Sequence, residues 1–230
     1  MTALYERQQA LELTIPESVT VVGLGGIGFW ASVYLAMSGV TNLYLFDADV
    51  IEESNRNRLP ICQGSVGLPK VQVVKDYILA IRPDCNCVAI QEKMEGILLD
   101  IQVGISTVVL ECTDSTKSQL LVYNACKKAG VSFVRAGYNG THMSVLHHVP
   151  TWCKAEEDSE YTITPSWVVP ASIVAALAVG KIMKYPMQSV GIDLSEIGVP
   201  LAEKNTKRLT SRCKQNQTST IQTVRLRLRR

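Results

Sequence analysis

Gly23, Gly25, Gly26 and Gly28 fall in the run Val21-Val22-Gly23-Leu24-Gly25-Gly26-Ile27-Gly28, and Asp47 follows about one βα unit later. The residues before the glycines, Ser18 to Val22, are apolar and β-branched and predict a strand. Beyond Gly28, Trp30, Val33, Tyr34 and Met37 fall at helical spacing. A glycine-rich turn from strand to helix lets backbone amides approach a phosphate, and the helix N-terminus adds favourable partial charge. Asp47 closes the next apolar run, Leu43-Tyr44-Leu45-Phe46, where a carboxylate can accept hydrogen bonds from ribose hydroxyls. These residues predict a nucleotide site, and by themselves they leave a dinucleotide oxidoreductase open.

The cations and acids that follow favour another chemistry. Arg58 and Lys70 could neutralise triphosphate oxygens, and Asp114, at the end of an apolar strand, could hold Mg²⁺. Hydride transfer has no use for an arginine, a lysine and a further aspartate around one cleft. Asp49 suits either the ligand shell or a turn. Asp114 is also a candidate N-cap for the helix that starts near Ser115. His142, His147 and His148 show no ligand spacing.

The elements that must position these groups alternate along the chain. We expect strands at 18–23, 41–47, 86–91, 106–112, 131–136 and 142–148, and helices at 27–38, 67–80 and 116–129. That order implies βαβ crossovers and an α/β, Rossmann-like, mostly parallel sheet flanked by helices, with antiparallel strands toward the C-terminus. Trp167 to Val179 is an uncharged apolar run, too short for a membrane span of about 18 residues and better suited to a buried helix.

Composition sets the outer bounds. The 230 residues, 47% of them hydrophobic, fit one soluble domain with a core of its own. The polar, acid-bearing start from Met1 to Glu12 does not read as a signal peptide, and the seven cysteines form no Cys-x-x-Cys pair. A cytoplasmic protein without disulfides or structural metal is expected. Cys85 and Cys87 share one face of a strand, which suits packing. Residues 201–230 carry nine basic residues against one acid, Glu203, leaving the first 200 residues acidic overall. Ile221, Val224, Leu226 and Leu228 alternate with polar and basic residues there, which favours an arginine-protected edge strand over a nucleic-acid tail.

Taken together, Gly23-Leu24-Gly25-Gly26-Ile27-Gly28, the segment from Asp47-Ala48-Asp49 through Ser54-Asn55 to Arg58, Gly67-Leu68-Pro69-Lys70 and Thr113-Asp114 resemble the adenylating domain of the ThiF/MoeB/E1 superfamily. The resemblance runs in order from about residue 4 to 140, and more loosely to the end. It implies ATP-dependent adenylation of a carboxylate, above all the C-terminal glycine of a small ubiquitin-like or sulfur-carrier protein. It implies one domain over 1–230, with an N-terminal arm at 1–15, a crossover loop at 150–165 and the basic segment at 201–230.

By position, the resemblance puts Gly23, Gly25, Gly26 and Gly28 at the phosphates, Asp47 at the ribose, Asn55 and Arg58 at the phosphates, Lys70 at the triphosphate and Asp114 at Mg²⁺. It makes Arg7, within Leu4-Tyr5-Glu6-Arg7-Gln8, a finger reaching the ATP site of the partner in a homodimer. Cys153 lies near where some members keep a cysteine that accepts the acyl group as a thioester; Lys154 would favour its thiolate, and Glu156 to Asp158 oppose it. Four positions depart from the pattern: Leu4 stands in place of a first arginine, Leu59 where glutamine is usual, Ser115 where asparagine is, and Gln119 near the place of an arginine; the two Cys-x-x-Cys pairs that hold zinc in many bacterial members are also absent. A non-catalytic nucleotide-binding partner subunit, such as the inactive half of a heterodimer, is the alternative to an enzyme.

Overall fold

The computed structural model describes residues 3–150, 165–184 and 190–193. After a short helix α1 (Glu6–Gln9), the order is β1 (Ser18–Val22), α2 (Gly26–Met37), β2 (Asn42–Phe46), α3 (Lys70–Ile81), β3 (Asn86–Ile90), α4 (Gly96–Ile105), β4 (Val108–Glu111), α5 (Thr116–Ala129), β5 (Ser132–Asn139), β6 (His142–Leu146), α6 (Val168–Lys184) and β7 (Val190–Asp193). The sheet has the order β3-β2-β1-β4-β5-β6-β7. The first five strands in that order pair in parallel, and β6 and β7 add in antiparallel fashion. The mixed sheet expected from the sequence is the one observed.

β1 is buried along its whole length because helices cover both faces of the sheet. Its period-two alternation divides the core: Val19 and Val21 join the layer under α2, α3 and α6, and Val22 joins the layer under α4 and α5. Thr20 also faces α4, where its hydroxyl meets Ser106 Oγ at 2.7 Å and accepts from Gln102 Nε2 at 2.7 Å. A polar residue in a central strand is tolerated here because it is hydrogen-bonded. Cys85 and Cys87 pack in the first layer, as their spacing suggested.

Helix α4 differs from expectation: the sequence pattern placed no element between β3 and β4. Its outer side carries Ile97, Ile101 and Ile105, all exposed, while Leu99 and Val103 face the core. A helix apolar on both sides, with a glycine at 104, lacks the amphipathic stripe by which helices are recognised. The expected helix at Trp167–Val179 is present and longer, as α6, which packs on α2. No helix among the described residues is long and apolar enough to cross a membrane. Most of the expected crossover loop and the C-terminal edge strand lie outside the described residues.

Strand order reverses between β1 and β4, whose C-terminal ends therefore open a crevice between their crossovers. The glycine turn follows β1, and Asp114 follows β4.

Candidate functional site

Gly23 leaves β1 with φ +83°, a left-handed conformation that favours glycine. Gly28 permits the return: a Cβ there would stand 1.8 Å from the carbonyl oxygen of Gly23. Gly25 is the N-cap of α2 and supplies no side-chain cap, and a Cβ on it would meet nothing within 4 Å. The first amides of a twelve-residue helix therefore have no side-chain cap, an arrangement that attracts an anion. Gly26 is enclosed instead, with Arg58 Cδ 3.2 Å, Tyr138 Oη 3.2 Å and Ala171 Cβ 3.1 Å from the place of its absent Cβ.

Asp47 directly follows β2 and holds this turn from the side. Its Oδ2 accepts from the Leu24 amide at 2.6 Å and its Oδ1 from the Asp49 amide at 2.8 Å. Burial pushes its carboxyl upward, opposed by the Lys70 ammonium 3.9 Å away and by the two amides. Lys70 opens α3, and its Nζ lies 2.8 Å from Asp49 Oδ2. The Lys70 amide in turn donates to the Asp49 carbonyl at 3.0 Å, which fixes the start of α3 against the Asp47–Asp49 loop.

The segment between them folds as a 3₁₀ turn, Glu53–Asn57. Asn55 is buried, and its Oδ1 accepts from the Glu52 amide at 3.3 Å while the Glu52 carboxylate accepts from the Asn55 amide. This reciprocal cap gives Asn55 a local structural task that the resemblance did not suggest, although Glu52-x-x-Asn55 has the spacing of a capping box. Arg58 runs beside Gly26, with its Nη1 donating to Ser54 O at 2.7 Å and Asn57 Oδ1 at 2.9 Å. Its carbonyl accepts from Trp30 Nε1 at 3.0 Å. Leu59, at the position where glutamine is usual, is buried in the core.

Beyond β4, Thr113 makes the corner that carries Asp114. The Thr113 methyl would lie 2.8 Å from a Cβ at Gly23, so the corner packs directly on the glycine turn. Asp114 is exposed, and the residue that caps α5 is Ser115, whose Oγ accepts from the Ser118 amide at 3.2 Å. The Asp114 side chain is therefore not the helix cap. Glu111, fully buried at the end of β4, accepts from the Thr113 amide at 2.8 Å and from the Thr113 hydroxyl. Burial pushes its carboxyl up to about 7 against these hydrogen bonds and the charge of Arg135.

The structure thus brings Gly23, Gly25, Gly26, Gly28, Asp47, Asp49, Arg58, Lys70 and the corner bearing Asp114 to one end of the sheet. Arg7 is elsewhere. Gln8 Nε2 donates to Ser38 O at 2.9 Å, and Tyr5 packs under the Arg82 guanidinium, which also binds the Ala36 carbonyl. These contacts hold the arm at the C-terminal end of α2, about 18 Å along the helix from the turn. Cys153 lies outside the described residues. Sequence reasoning missed Tyr138, whose hydroxyl faces Gly26 and bonds Ser166 Oγ, and missed Glu111 and Arg135. Tyr138 is flanked by Gly137 and Gly140 at a strand end, the one local signal it offered.

Comparison with known proteins places this geometry in a family. Among curated proteins, the chain is 30% identical over 139 residues to the sulfur carrier protein ThiS adenylyltransferase of Escherichia coli, covering 60% of this chain and 55% of that one. It is 33% identical over 131 residues to the molybdopterin-synthase adenylyltransferase of the same organism, covering 56% and 51%. It is 35% identical over 125 residues to the adenylyltransferase and sulfurtransferase UBA4 of Saccharomyces cerevisiae, covering 54% and 28%. The chain spans about half or less of the length of these relatives. The solved structure of E. coli MccB with ATP shares the fold at a TM-score of 0.66 and 22% identity, over 77% of this chain and 60% of that one. The family model described as the ThiF family matches residues 5–217, and the chain belongs to that family.

Proposed function

We propose that this protein adenylates a carboxylate at the expense of ATP, and that the carboxylate is the C-terminal glycine of a small ubiquitin-like or sulfur-carrier protein. The observation that carries the reading is the convergence of an open, uncapped helix N-terminus at Gly25 with Asp47, Arg58, Lys70 and the Asp114 corner. The names of relatives matched over part of their length, adenylyltransferases acting on a sulfur carrier protein and on molybdopterin synthase, support it.

In this reading the phosphates lie along the amides that follow Gly25, and Asp47 reaches the ribose. Arg58 and Lys70 neutralise the triphosphate, with Asn55 and Asp49 beside them. Mg²⁺ would neutralise the leaving pyrophosphate. Among the described residues no three His, Cys, Asp or Glu side chains cluster to hold a metal. The exposed Asp114 carboxylate fits an ion that takes most of its other ligands from phosphate and water, as Mg²⁺ does. A carboxylate oxygen of the acceptor attacks the α-phosphorus; the new P–O bond forms as the bond to the β-phosphate oxygen breaks, and pyrophosphate leaves. The chain supplies positioning and charge, with no covalent group in that step.

Residues 1–230 act as one adenylating domain in a homodimer, with Arg7 offered to the partner's site. Cys153 is the candidate acceptor of the acyl group in a later thioester. Acceptor-dependent ATP–pyrophosphate exchange, lost in Asp114→Ala, is the expected result. Absence of exchange with every small-protein acceptor, together with tight NAD binding, would overturn the reading. Full acyl transfer by Cys153→Ala would remove the thioester step alone.

A further inference from the structure

Thr113 is held by side chains on both of its peptide groups. Its amide and hydroxyl donate to Glu111 Oε1, and its carbonyl accepts from Gln119 Nε2 at 2.8 Å. Gln119 is itself oriented, since its Oε1 accepts from Arg135 Nε at 2.7 Å. Arg135, half-buried, sits opposite Glu111 in the β4–β5 register, and its charge acts on the buried Glu111 carboxyl. Glu111 and Gln119 are both almost wholly inaccessible, and Ser118 Oγ stands 3.5 Å from the second Glu111 oxygen.

Thr113 connects this group to both halves of the crevice. Its amide and methyl stand 3.0 and 2.8 Å from where a Cβ on Gly23 would be, so Thr113 packs closely on the glycine turn and only a glycine fits there. On its other side the chain runs directly into Asp114. A side-chain amide has one donor and one acceptor end, and Arg135 can only donate. Arg135 therefore fixes which way the Gln119 amide points, with its NH₂ toward Thr113. A fully satisfied buried polar network of this kind rigidifies what it touches.

We propose that Glu111, Gln119 and Arg135 form a positioning clamp on Thr113, which holds the Gly23 turn and the Asp114 corner in one arrangement. The proposal rests on the reading of that crevice as the ATP and Mg²⁺ site. Gln119 stands near the place of an arginine in the resembling sequences, and here the cation comes from β5 instead and acts through the amide. All three are positioning residues: they touch Thr113 or one another.

Gln119→Glu is the selective test. It keeps the acceptor for Arg135, and adds charge complementarity to it, but turns a second acceptor toward the Thr113 carbonyl. The expected result is a lowered melting temperature, since a second buried acceptor faces the Thr113 carbonyl, with amide exchange at 112–116 and 23–26 accelerated beyond that of the remaining sheet, and an affinity for Mg²⁺ with the non-hydrolysable analogue AMPCPP reduced by about tenfold. Thr113→Ser, which removes only the methyl against Gly23, should speed exchange at 23–26 and leave 112–116 protected. Wild-type exchange rates in both segments of both variants would overturn the clamp. If the wild-type protein binds no Mg²⁺–AMPCPP, the adenylation reading fails, and the exchange rates still decide the clamp.

Discussion

Lys70 donates its ammonium to the Asp49 carboxylate across 2.8 Å, and the two partners differ sharply in exposure, 13% for the lysine side chain and 72% for the aspartate. The lysine is held by its surroundings, whereas the aspartate can turn into water at little cost. An ion pair with one partner in water contributes about 1 kcal/mol, so under the proposed ATP reading a phosphate at the Gly25 amides would take Lys70 from Asp49. Asp47, buried and bonded to two amides, stays where it is.

Lys70→Ala and Asp49→Asn should therefore move nucleotide affinity in opposite directions. Loss of the lysine removes a charge-assisted contact of about 2 kcal/mol, or about thirtyfold in Kd. Asp49→Asn removes a competing charge and should tighten ATP binding by no more than about fivefold. Calorimetric titration of both variants checks this; equal weakening would mean that Asp49 holds the nucleotide directly.

The trans role proposed for Arg7 carries a quantitative prediction. Arg7→Ala and Asp114→Ala are each expected to be inactive. A dimer of one with the other keeps a single intact site, in the Arg7→Ala subunit, which has its own Asp114 and receives Arg7 from its partner. Equal mixing after subunit exchange should restore roughly one quarter of wild-type activity per site. Pyrophosphate exchange measured before and after mixing checks this. No recovery in a mixture shown to contain mixed dimers removes the trans assignment. Tyr5→Ala, which releases the arm from Arg82, should lower activity without changing ATP affinity.

The glycine turn and Asp47 were legible because each is announced locally, by a β-branched run, a glycine spacing and a helical period. The sheet followed from the same alternation. The support behind Asp114 was not legible, because Glu111 and Arg135 come together through β4–β5 register, across more than twenty residues of sequence. Gln119 read as a missing arginine until Arg135 appeared beside it. Helix α4 was hidden by its own composition, as exposed isoleucines at 97, 101 and 105 erase the polar face.

Glu111 also predicts an unusual dependence of stability on pH. Its carboxyl stands at about 7 in the folded chain against an ordinary 4.5, so between those values the folded state holds a proton that the unfolded state has released. The contribution of this group to stability is complete at low pH, falls as pH rises through that window, and is lower by about 3 kcal/mol above it. Glu111→Gln, which carries no charge at any pH and keeps an oxygen for Thr113, should be more stable than wild type at pH 8 and match it near pH 5. Urea denaturation at the two pH values checks this. A variant less stable than wild type at pH 8 would show that the ionised carboxylate is stabilised by Arg135 beyond the cost of its burial.

Gly25 and Gly28 should respond to the same substitution in opposite ways. A methyl at 28 would stand 1.8 Å from the Gly23 carbonyl oxygen, a backbone atom that can retreat only if the turn opens. Gly28→Ala should cost upward of about 3 kcal/mol and appear as a lowered denaturation midpoint or insoluble protein. A methyl at 25 meets nothing within 4 Å, and φ −70° there suits any residue. Gly25→Ala should leave the midpoint within about 0.5 kcal/mol of wild type. That open space is where a phosphate would approach the first amides of α2, so the same variant should bind ATP at least about tenfold more weakly. Unfolding curves and ATP titrations on the pair separate the two roles. If Gly25→Ala binds ATP normally, the phosphates do not lie along this turn, and the open helix N-terminus loses its assigned ligand.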